Sequence, residues 1–222
     1  MYDYQKVRLI GITQPVAEEF ICDNDAENLI SYCARVSNPS NQSNFDTASK
    51  LLKYCIKHNH WSIFEMVNLT MEIETTRDIA RQILRHRSFS FQEFSQRYAE
   101  VNTDTFVTRE ARLQDKSNRQ NSIDTDNKAL NSAWQQMQQD VLYHARHAYK
   151  WAIDNGIAKE QARAVLPEGL TISRMYMQGS LRSWLHYTDL RSDNATQKEH
   201  RDIAIKCRQV IERHFPFLNS VN

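Results

Sequence analysis

The 222-residue sequence predicts an α+β fold built from helices and a few strands. Several segments place apolar residues three and four positions apart, as amphipathic helices do. A few others alternate apolar with polar residues, as half-buried strands do. The strands do not follow one another along the chain, and this mixed order favours α+β. With no internal repeat and no convincing domain boundary, we expect a single domain over residues 1–222.

The first part of the chain predicts two strands and three helices. Asp25 is a plausible N-cap, because its carboxylate can accept from the unpaired N–H groups of a first helical turn. Val67, Leu69, Met71 and Ile73 alternate with polar residues, which indicates a half-buried strand. In order, we expect a strand over 7–12, helices over 25–36 and 46–58, a strand over 67–73, and a helix that begins at Thr76.

The second part of the chain predicts more helix than strand. Residues 97–108 are rich in Tyr, Val, Thr and Phe and favour a strand, whereas the polar residues 114–127 indicate a surface loop. Gly156 can cap a long helix before it, and Pro167 can stop a short one. In order, we expect a helix over 128–155, a short helix over 159–165, a strand over 170–177, and helices over 181–190 and 196–215.

Glycine is scarce in this chain. Only 4 of the 222 residues are glycine, whereas average usage is about 7%. No two glycines lie close enough for a G-x-G-x-x-G fingerprint, and no Walker A pattern is present. The chain therefore does not hold nucleotide phosphates on a glycine-rich backbone loop. The glycines are Gly11, Gly156, Gly169 and Gly179.

The charges nearly cancel, with 28 basic and 27 acidic residues and a formal net charge of +1. A binder of nucleic acid that ignores sequence would need a basic excess, so this balance argues against one. Arginine outnumbers lysine by 18 to 10. Because arginine forms bidentate contacts with phosphate and carboxylate, the excess fits an anionic ligand, although compositional drift explains it equally well.

The four cysteines show neither a C-x-x-C pair nor the spacing of metal ligands. We therefore expect reduced, structural thiols in a cytoplasmic protein. The first residues lack the apolar run of a signal peptide, and no stretch approaches the roughly 20 apolar residues of a membrane span. The cysteines are Cys22, Cys33, Cys55 and Cys207.

A dense polar segment begins at Gln82. If the helix that starts at Thr76 continues to His86, then Gln82, Arg85 and His86 share one face, because residues three and four apart are neighbours on a helix. An Arg-His-Arg run taken alone is most simply a solvated helix end. This half of the segment therefore does not identify a function by itself.

The other half of the polar segment follows after a short gap. If residues 93–97 are extended, Glu93, Ser95 and Arg97 point the same way, because strand side chains alternate. The two halves then combine an amide, guanidiniums, a carboxylate and a hydroxyl. Such a set can hydrogen-bond a pyrimidine edge, a ribose and a phosphate together. The alternative is a charged helix end followed by a turn.

The spacing within this segment resembles a family signature. An Arg-His-Arg run, seven residues, a serine, and then Arg-Tyr two positions on resemble the signature of the flavin-dependent thymidylate synthases. Four other segments resemble motifs of that family in the same order, so the resemblance covers roughly residues 34–200. The matching segments are Ala34-Arg35-Val36-Ser37, His60-Trp61-Ser62-Ile63-Phe64-Glu65, Arg85-His86-Arg87 with Ser95 and Arg97-Tyr98, Ala162-Arg163-Ala164-Val165-Leu166-Pro167, and 183–191.

The resemblance implies an activity, cofactors and an assembly. The family converts dUMP to dTMP, taking a one-carbon unit from 5,10-methylenetetrahydrofolate and a hydride from FAD reduced by NADPH. Its members are homotetramers whose active sites are shared between subunits. Each subunit is α+β, with a central, mostly antiparallel sheet flanked by helices. No metal, nucleic acid or membrane partner is implied.

The resemblance also implies roles for individual residues. His60 matches a histidine near the flavin and the folate, and Arg191 matches the arginine credited with activating the uracil ring. The dUMP-binding matches are Gln82, Arg85, Glu93, Ser95, Gln96, Arg97, Arg163 and Arg191. The FAD-binding matches are Ser37, Ser62, Arg85, His86, Arg87, Glu93, Arg182 and His186. Several members carry Asn at the positions of His186 and Ser180, and others carry His at the position of Ala195.

Arg191 carries the chemical part of this interpretation. Carbon 5 of uracil becomes a better nucleophile when negative charge builds on N3 and the flanking carbonyl oxygens, and a fixed guanidinium stabilises that charge. A helix-end arginine paired with the helix dipole is the alternative role for Arg191. Ser95 is interpreted as a hydroxyl that positions dUMP rather than as a nucleophile, because no activating base is evident beside it.

Two other functions remain open at this stage. A metal-dependent nucleotide phosphohydrolase could use the histidines at 58, 60, 144 and 147, although His144-x-x-His147 lacks a partner carboxylate motif. An RNA-binding module could use the Arg and aromatic residues between 85 and 98, although the near-neutral charge weighs against it. In the long helix, Trp134, Met137, Val141 and Tyr149 fit a core or a subunit interface better than a cofactor site.

Overall fold

The computed structural model of the chain describes residues 4–20 and 25–220. Cys22, one of the expected thiols, lies outside these residues. The helices begin and end close to the predicted positions. They are α1 (Ala26–Ala34), α2 (Ala48–Lys57), α3 (Arg77–Ile83), α4 (Lys128–Asp154), α5 (Lys159–Ala162), α6 (Leu181–Arg191) and α7 (Lys198–His214).

A four-stranded antiparallel sheet lies at the centre of the fold, with strand order β1-β2-β6-β3. This arrangement confirms the expected α+β class and its antiparallel sheet. A two-stranded hairpin, β4 and β5, stands apart from that sheet. The strands are β1 (Lys6–Ile12), β2 (Asn68–Thr76), β3 (Ser90–Glu93), β4 (Arg112–Gln114), β5 (Ser122–Asp124) and β6 (Ile172–Ser180).

The main core lies on one face of the sheet, beneath the helices. Leu69, Met71 and Ile73 of β2 and Met175 and Met177 of β6 are fully buried there, as the alternation in β2 predicts. Their neighbours along the strands point to the other face, where charged residues pair across the strands, such as Arg8 Nη2 with Glu72 Oε1 at 3.0 Å. We call the sheet with the helices packed on it, α1, α2, α3, α6 and α7, the sheet region.

A second, smaller core joins α4 to α5. Tyr149 and Ala152 of α4 pack with Ala162 and Leu166, and Tyr149 Oη accepts from the Val101 N–H at 2.9 Å. The whole of α4 is about 40 Å long, and outside this small core it buries only a narrow stripe of residues. Trp134, Met137 and Val141 are exposed, so they are not core residues. We call α4 and α5 the arm.

The strand predicted over residues 97–108 is wrong. Residues 96–98 form a turn and 103–105 a short 3-10 helix, and the backbone N–H groups of Tyr98 and Ala99 donate to Ser95 O. The edge strand β3 ends at Glu93, and none of the residues 97–108 pairs with a strand of the sheet. The β-favouring side chains pack on the arm instead, where Val101 and Phe106 join the smaller core.

The polar loop predicted over residues 114–127 is correct except at Gln114, which ends β4, and at 122–124, which form β5. The turn between these strands is organised by the Asp115 carboxylate. That carboxylate accepts from Ser117 N at 2.8 Å, Asn118 N at 3.1 Å and Asn121 Nδ2 at 2.9 Å. Local side-chain bonds of this kind support the turn of a short hairpin whose strands pair Leu113 with Ile123.

Candidate active site

Arg191 and His86 meet where α6 ends. Arg191 is the last residue of α6, and its Nε donates to His86 Nε2 over 3.0 Å. The histidine must be unprotonated at Nε2 to accept this bond. Burial, and then the charge of Arg191, lower the pKa of His86 to about 4, so the ring is neutral near pH 7. Its ring stands perpendicular to that of Tyr187, with centroids 4.9 Å apart.

Gln82 lies beside this pair, on the last turn of α3. Its Nε2 donates to Gln197 Oε1 at 2.7 Å, and its Oε1 lies 3.3 Å from His200 Nδ1. Both partners belong to α7 or the residue before it. The ring of His200 is also 6.2 Å from that of His86. Gln82, His86 and Arg191 therefore form one cluster.

Arg85 does not share the face of Gln82 and His86. The helix expected to reach residue 86 ends at Ile83, and the next residues close with i to i+3 bonds, His86 N to Ile83 O at 3.0 Å among them. This tighter turn rotates the following side chains away from the positions that an α-helix would give them. As a result Arg85 is exposed while His86 is half-buried.

A polar cavity of about 280 Å³ lies near the start of α6. Arg87 and Ser180 line it together with Glu65, and Arg182 Nη1 donates to Glu65 Oε1 at 3.0 Å. Glu65 and Ser180 were not among the predicted site residues, although both stand in or next to matched segments. Ser180 is the N-cap of α6, and its Oγ accepts from Ser183 N at 3.3 Å.

Two more predicted flavin residues flank this cavity. Ser62 is exposed and begins a short 3-10 helix that ends at Glu65. His186, one turn after Arg182 on α6, packs its ring on Trp61, with centroids 4.5 Å apart. Residues from three separate segments thus gather around the first turns of α6, where Arg182 and His186 lie one turn apart, as their spacing predicts.

Glu93 belongs to a different cluster, at the far end of β3. Ser173 Oγ donates to Glu93 Oε1 at 2.8 Å, and Arg77 Nη1, from a side chain only 5% exposed, lies 3.4 Å from the same oxygen. In the antiparallel pairing Glu93 faces Met175, whereas Ser90 faces Gln178. Glu93 and Arg87 are therefore separated by the whole strand, about 10 Å at β spacing.

The residues after Glu93 are not extended, which corrects the expectation that Glu93, Ser95 and Arg97 point the same way. Residues 96–98 form a turn closed by Tyr98 N donating to Ser95 O at 3.1 Å. The turn exposes Ser95 and Arg97 and buries Gln96, which is 5% exposed. A hydrogen-bonded turn, not strand alternation, therefore sets the directions of these side chains.

Arg97 and Arg163 both lie against the arm. Arg97 Nε is 3.7 Å from Glu160 Oε2 of α5, and Arg163 begins the 3-10 turn that follows this helix. Arg163 is half-buried, whereas the Arg97 side chain is 67% exposed. One predicted dUMP residue therefore directly follows the arm in sequence, and another contacts it.

Ser37 and His60 lie on exposed loops of the sheet region. Ser37 follows α1, in a loop held by the buried Arg35, whose Nη2 donates to Thr47 Oγ1 at 2.7 Å. His60 follows α2 after Asn59, which adopts a positive φ of 59°, and its N–H donates to Cys55 O at 2.8 Å. Its ring lies 6.2 Å from those of Tyr54 and His58.

The described residues bear on metal binding, on the state of the thiols and on a membrane span. Among residues 4–20 and 25–220, no three His, Cys, Asp or Glu side chains are grouped so that they could hold a metal ion. Cys33, Cys55 and Cys207 have free thiols, and burial raises the pKa of each. In that same part of the chain, no helix combines the length and the apolar character needed to span a bilayer.

Comparison with protein families identifies relatives of the chain. The family model described as thymidylate synthase complementing protein matches residues 20–217. A flavin-dependent thymidylate synthase from Synechocystis sp. is 51% identical over 213 residues, which are 95% of each chain. A probable flavin-dependent thymidylate synthase from Paramecium bursaria Chlorella virus 1 is 50% identical over 209 residues, 94% of each chain.

Among solved structures, the chain resembles a UMP/dUMP methylase from Streptomyces cacaoi that was crystallised with 5-Br dUMP. The TM-score is 0.79 at 23% sequence identity, and the match covers 98% of this chain and 93% of the methylase. The same methylase bound with 5-Br UMP matches with a TM-score of 0.77. At this identity the likeness shows a shared fold.

Proposed function

The chain belongs to the flavin-dependent thymidylate synthase family, and we propose that it methylates dUMP to dTMP. The carbon would come from 5,10-methylenetetrahydrofolate, and the reducing equivalents from NADPH by way of FAD. The observation that carries the proposal is the contact between Arg191 and His86, which joins the proposed catalytic arginine to the Arg-His-Arg run 105 residues away. Family membership also favours this function over a metal-dependent phosphohydrolase or an RNA-binding module.

Arg191 is proposed to activate the uracil ring. Its Nε is engaged by His86, and among the described residues its Nη groups have no such partner, which leaves them for a ligand. A guanidinium beside N3 and a carbonyl oxygen of uracil stabilises the negative charge that makes carbon 5 nucleophilic. The neutral His86 holds the guanidinium in one orientation without adding a second charge, so it orients Arg191 as well as lining the flavin site.

The polar cavity at the start of α6 fits part of an FAD site. Arg87, Arg182, Ser62 and His186 would supply donors to phosphate and ribose oxygens, as the scarcity of glycine requires. A cavity of about 280 Å³ is below the roughly 300–1,000 Å³ of most ligand sites, so this face would hold only part of a dinucleotide. FAD, when bound and reduced, supplies the hydride. Ser37, His60, Arg85 and Glu93 would complete the flavin and folate contacts.

The dUMP site would combine residues from both regions of the chain. Gln82 and Arg191 come from the sheet region, and Arg163 comes from the segment that follows α5. The exposed Ser95 and Arg97 suit contacts to ribose and phosphate, with Ser95 positioning the nucleotide rather than attacking it. Arg85, Glu93, Gln96 and Arg97 fill the remaining predicted roles.

We propose that copies of this chain share their active sites in a homotetramer. The proposed site residues form separate clusters within one chain, at the two ends of β3 and beside the arm. Leu130, Trp134, Met137 and Val141 form an exposed apolar stripe at spacings of four and three along α4, which is the pattern that packs one helix on another. The proposed location is cytoplasmic, in keeping with free thiols.

The test is an anaerobic assay of dTMP formation from dUMP, 5,10-methylenetetrahydrofolate and NADPH, with FAD omitted from one set of reactions. We expect flavin absorbance bands on the purified protein and, once that flavin has been removed, dTMP only in the reactions to which FAD is added back. A second set of reactions replaces NADPH with NADH to identify the reductant. Absence of dTMP from folded, flavin-loaded protein would refute the proposal.

A further inference from the structure

We infer that His200 is a positioning residue for dUMP, acting through a chain of hydrogen bonds that fixes the orientation of the Gln82 amide. The inference rests on the proposed function, since Gln82 is its proposed dUMP contact. His200 is 1% exposed and stands in none of the segments that resemble the family motifs. Its role is read from its neighbours alone.

The chain of hydrogen bonds starts at Glu199, at the beginning of α7. Gln197 Nε2 donates to Glu199 Oε2 at 2.9 Å, and Gln82 Nε2 donates to Gln197 Oε1 at 2.7 Å. Gln82 Oε1 then lies 3.3 Å from His200 Nδ1, and His200 Nε2 lies 3.1 Å from Tyr187 Oη. Four hydrogen bonds thus link a buried carboxylate to a buried phenol.

Glu199 sets the donor and acceptor roles in all four of these hydrogen bonds. Its side chain is fully buried and forms an ion pair with Arg112. Burial raises the pKa of this carboxyl, but the hydrogen bond from Arg112 and the nearby positive charges outweigh it and lower the pKa to about 2. Because an ionised carboxylate only accepts hydrogen bonds, Gln197 must turn its NH₂ group towards Glu199.

Each later link follows from the one before it. Gln197 presents its oxygen to Gln82, so Gln82 must donate with its Nε2 and turn its Oε1 towards His200. An amide oxygen only accepts, so His200 carries its proton on Nδ1. His200 Nε2 is then a bare acceptor, and Tyr187 donates its hydroxyl proton to it. Every group in this series of hydrogen bonds is satisfied in one arrangement.

His200 must be neutral for this arrangement to hold. Burial, followed by the charges of Arg191 and His86, lowers the pKa of His200 to about 3. A flipped Gln82 amide would set its NH₂ against His200 Nδ1–H and its oxygen against that of Gln197. Restoring the bonds would require Gln197 to turn its oxygen to the Glu199 carboxylate. The cost of these clashes holds Gln82 in one orientation.

Gln82 therefore presents one free lone pair and one free N–H in fixed places. A nucleotide that matches this pattern binds without first having to select an amide orientation, which is an advantage of preorganisation. Loss of the His200 donor would leave Oε1 unpaired and the amide free to turn. Binding of dUMP would then weaken, while binding of flavin at the start of α6 would not.

The experiment measures dUMP affinity by calorimetry on the flavin-loaded protein. His200→Phe removes both ring nitrogens but keeps a ring, and we expect dUMP to bind about tenfold more weakly, the equivalent of one hydrogen bond. His200→Asn places an amide nitrogen near the position of Nδ1, and we expect it to restore most of that affinity. The KM for dUMP should follow the affinity while kcat changes less.

A control and a second route separate positioning from folding. Thr188→Val removes another buried hydroxyl of α6, whose bond goes to Leu185 O at 3.0 Å, and it should leave dUMP affinity unchanged. If His200→Phe does not fold, Gln197→Met interrupts the same series of hydrogen bonds from a half-buried position and should weaken dUMP binding similarly.

The decisive comparison uses a Gln82→Ala background. Because His200 acts through Gln82, His200→Phe should cost no further dUMP affinity there. An equal loss in both backgrounds, or unchanged affinity in His200→Phe and Gln197→Met, would overturn the inference. If instead the unmodified protein neither binds dUMP nor forms dTMP, the proposed function itself fails, and that result is distinct from the others.

Discussion

The sheet region and the arm bury apolar side chains in different ways. In the sheet region the inward residues of β2 and β6 are fully buried, and even the Trp184 indole is enclosed, with Nε1 donating to Leu69 O at 3.1 Å. In the arm, Trp134, Met137 and Val141 are 45%, 56% and 52% exposed. The sheet region thus completes its core within one chain, whereas the arm keeps a face that suits another chain.

This difference separates the proposed site residues into two kinds. Arg191, His86 and Gln82 are positioned by contacts inside the sheet region, so their geometry depends on the fold of one chain. Arg97 and Arg163 lie against the arm, so their geometry depends on what the arm packs against. Substitutions in the two regions should therefore impair activity in different ways.

The largest effect is expected at Arg191. We expect Arg191→Ala to lower turnover about 100- to 1,000-fold, because it removes the guanidinium that we propose stabilises negative charge on the uracil ring. Flavin absorbance and the assembly state should be retained, since the fold of the sheet region does not depend on this helix-end side chain. The measurements are dTMP formation and the visible spectrum. Full turnover in the variant would remove Arg191 from the mechanism.

The next effect tests how tightly the sheet region is packed. A Cβ built on Gly179 of β6 would lie 2.5 Å from Cδ1 of Phe89, whose ring packs on Trp184 with centroids 4.9 Å apart. We expect Gly179→Ala to lower the free energy of unfolding by about 1–3 kcal/mol, because the core has no room for the methyl group. Urea unfolding gives that value.

Gly169 provides the matched control for Gly179. A Cβ built there would come no closer than 4.0 Å to any neighbour, and the nearest atoms belong to the Arg109 and Asp78 side chains. Gly169→Ala should therefore change stability by less than about 0.5 kcal/mol. Equal losses at the two glycines would show that close packing against Phe89 does not distinguish them.

The neutral histidines make the sheet region sensitive to acid. The pKa of His200 is lowered to about 3 in the folded chain, against about 6.5 when unfolded, so the unfolded chain binds a proton that the folded chain does not. Stability should therefore fall as pH falls below 6.5, by about 1.4 kcal/mol per pH unit from His200. The partly exposed His86 should add less, because solvent screens its shift.

Urea unfolding between pH 7.5 and 5 measures this slope. His200→Phe should flatten it, because the substituted ring takes up no proton in either state. At pH 7.5 and above, about one unit or more beyond the unfolded pKa, the histidines are almost wholly neutral whether the chain is folded or not, so the two proteins should there show parallel stability curves. A slope that survives unchanged in His200→Phe would assign the acid sensitivity to other groups.

Local sequence patterns predicted the elements that depend on local chemistry. Asp25 caps α1, accepting from Asn28 N at 2.6 Å, and Gly156 adopts the positive φ of 77° expected after the long helix. The alternation in β2 correctly predicted which residues face the core. In each case the deciding contact is made by residues within a few positions of one another, or by a periodicity that any window of the sequence displays.

The patterns failed where distant segments decide. Residues 97–108 have the composition of a strand, but Val101 and Phe106 pack against the distant arm instead, and the four-residue strand β3 is too short to show alternation. The links from His86 to Arg191 and from Gln82 to His200 span 105 and 118 residues. The resemblance to family motifs pointed to Arg191 and Gln82, but His200 lay outside those motifs and required the structure.

The smallest effect on stability, and the sharpest test of the comparison, is expected on the arm. Val141→Asp places a charge in the exposed apolar stripe of α4 while leaving the buried stripe that includes Leu142 and Tyr149 intact. We expect the helical signal in circular dichroism and the stability of the single chain to change by no more than about 0.5 kcal/mol. Light scattering after gel filtration should nevertheless show a smaller species, and dTMP formation should fall with it.

A polar position on the same helix serves as the control. Gln139→Asp adds the same charge at an exposed residue outside the apolar stripe, and it should leave both mass and turnover unchanged. If Val141→Asp kept its full assembled mass, the exposed stripe would not be an interface. If its mass fell while turnover persisted, the arm would assemble the chains without completing their active sites, and every proposed contact would have to come from a single chain.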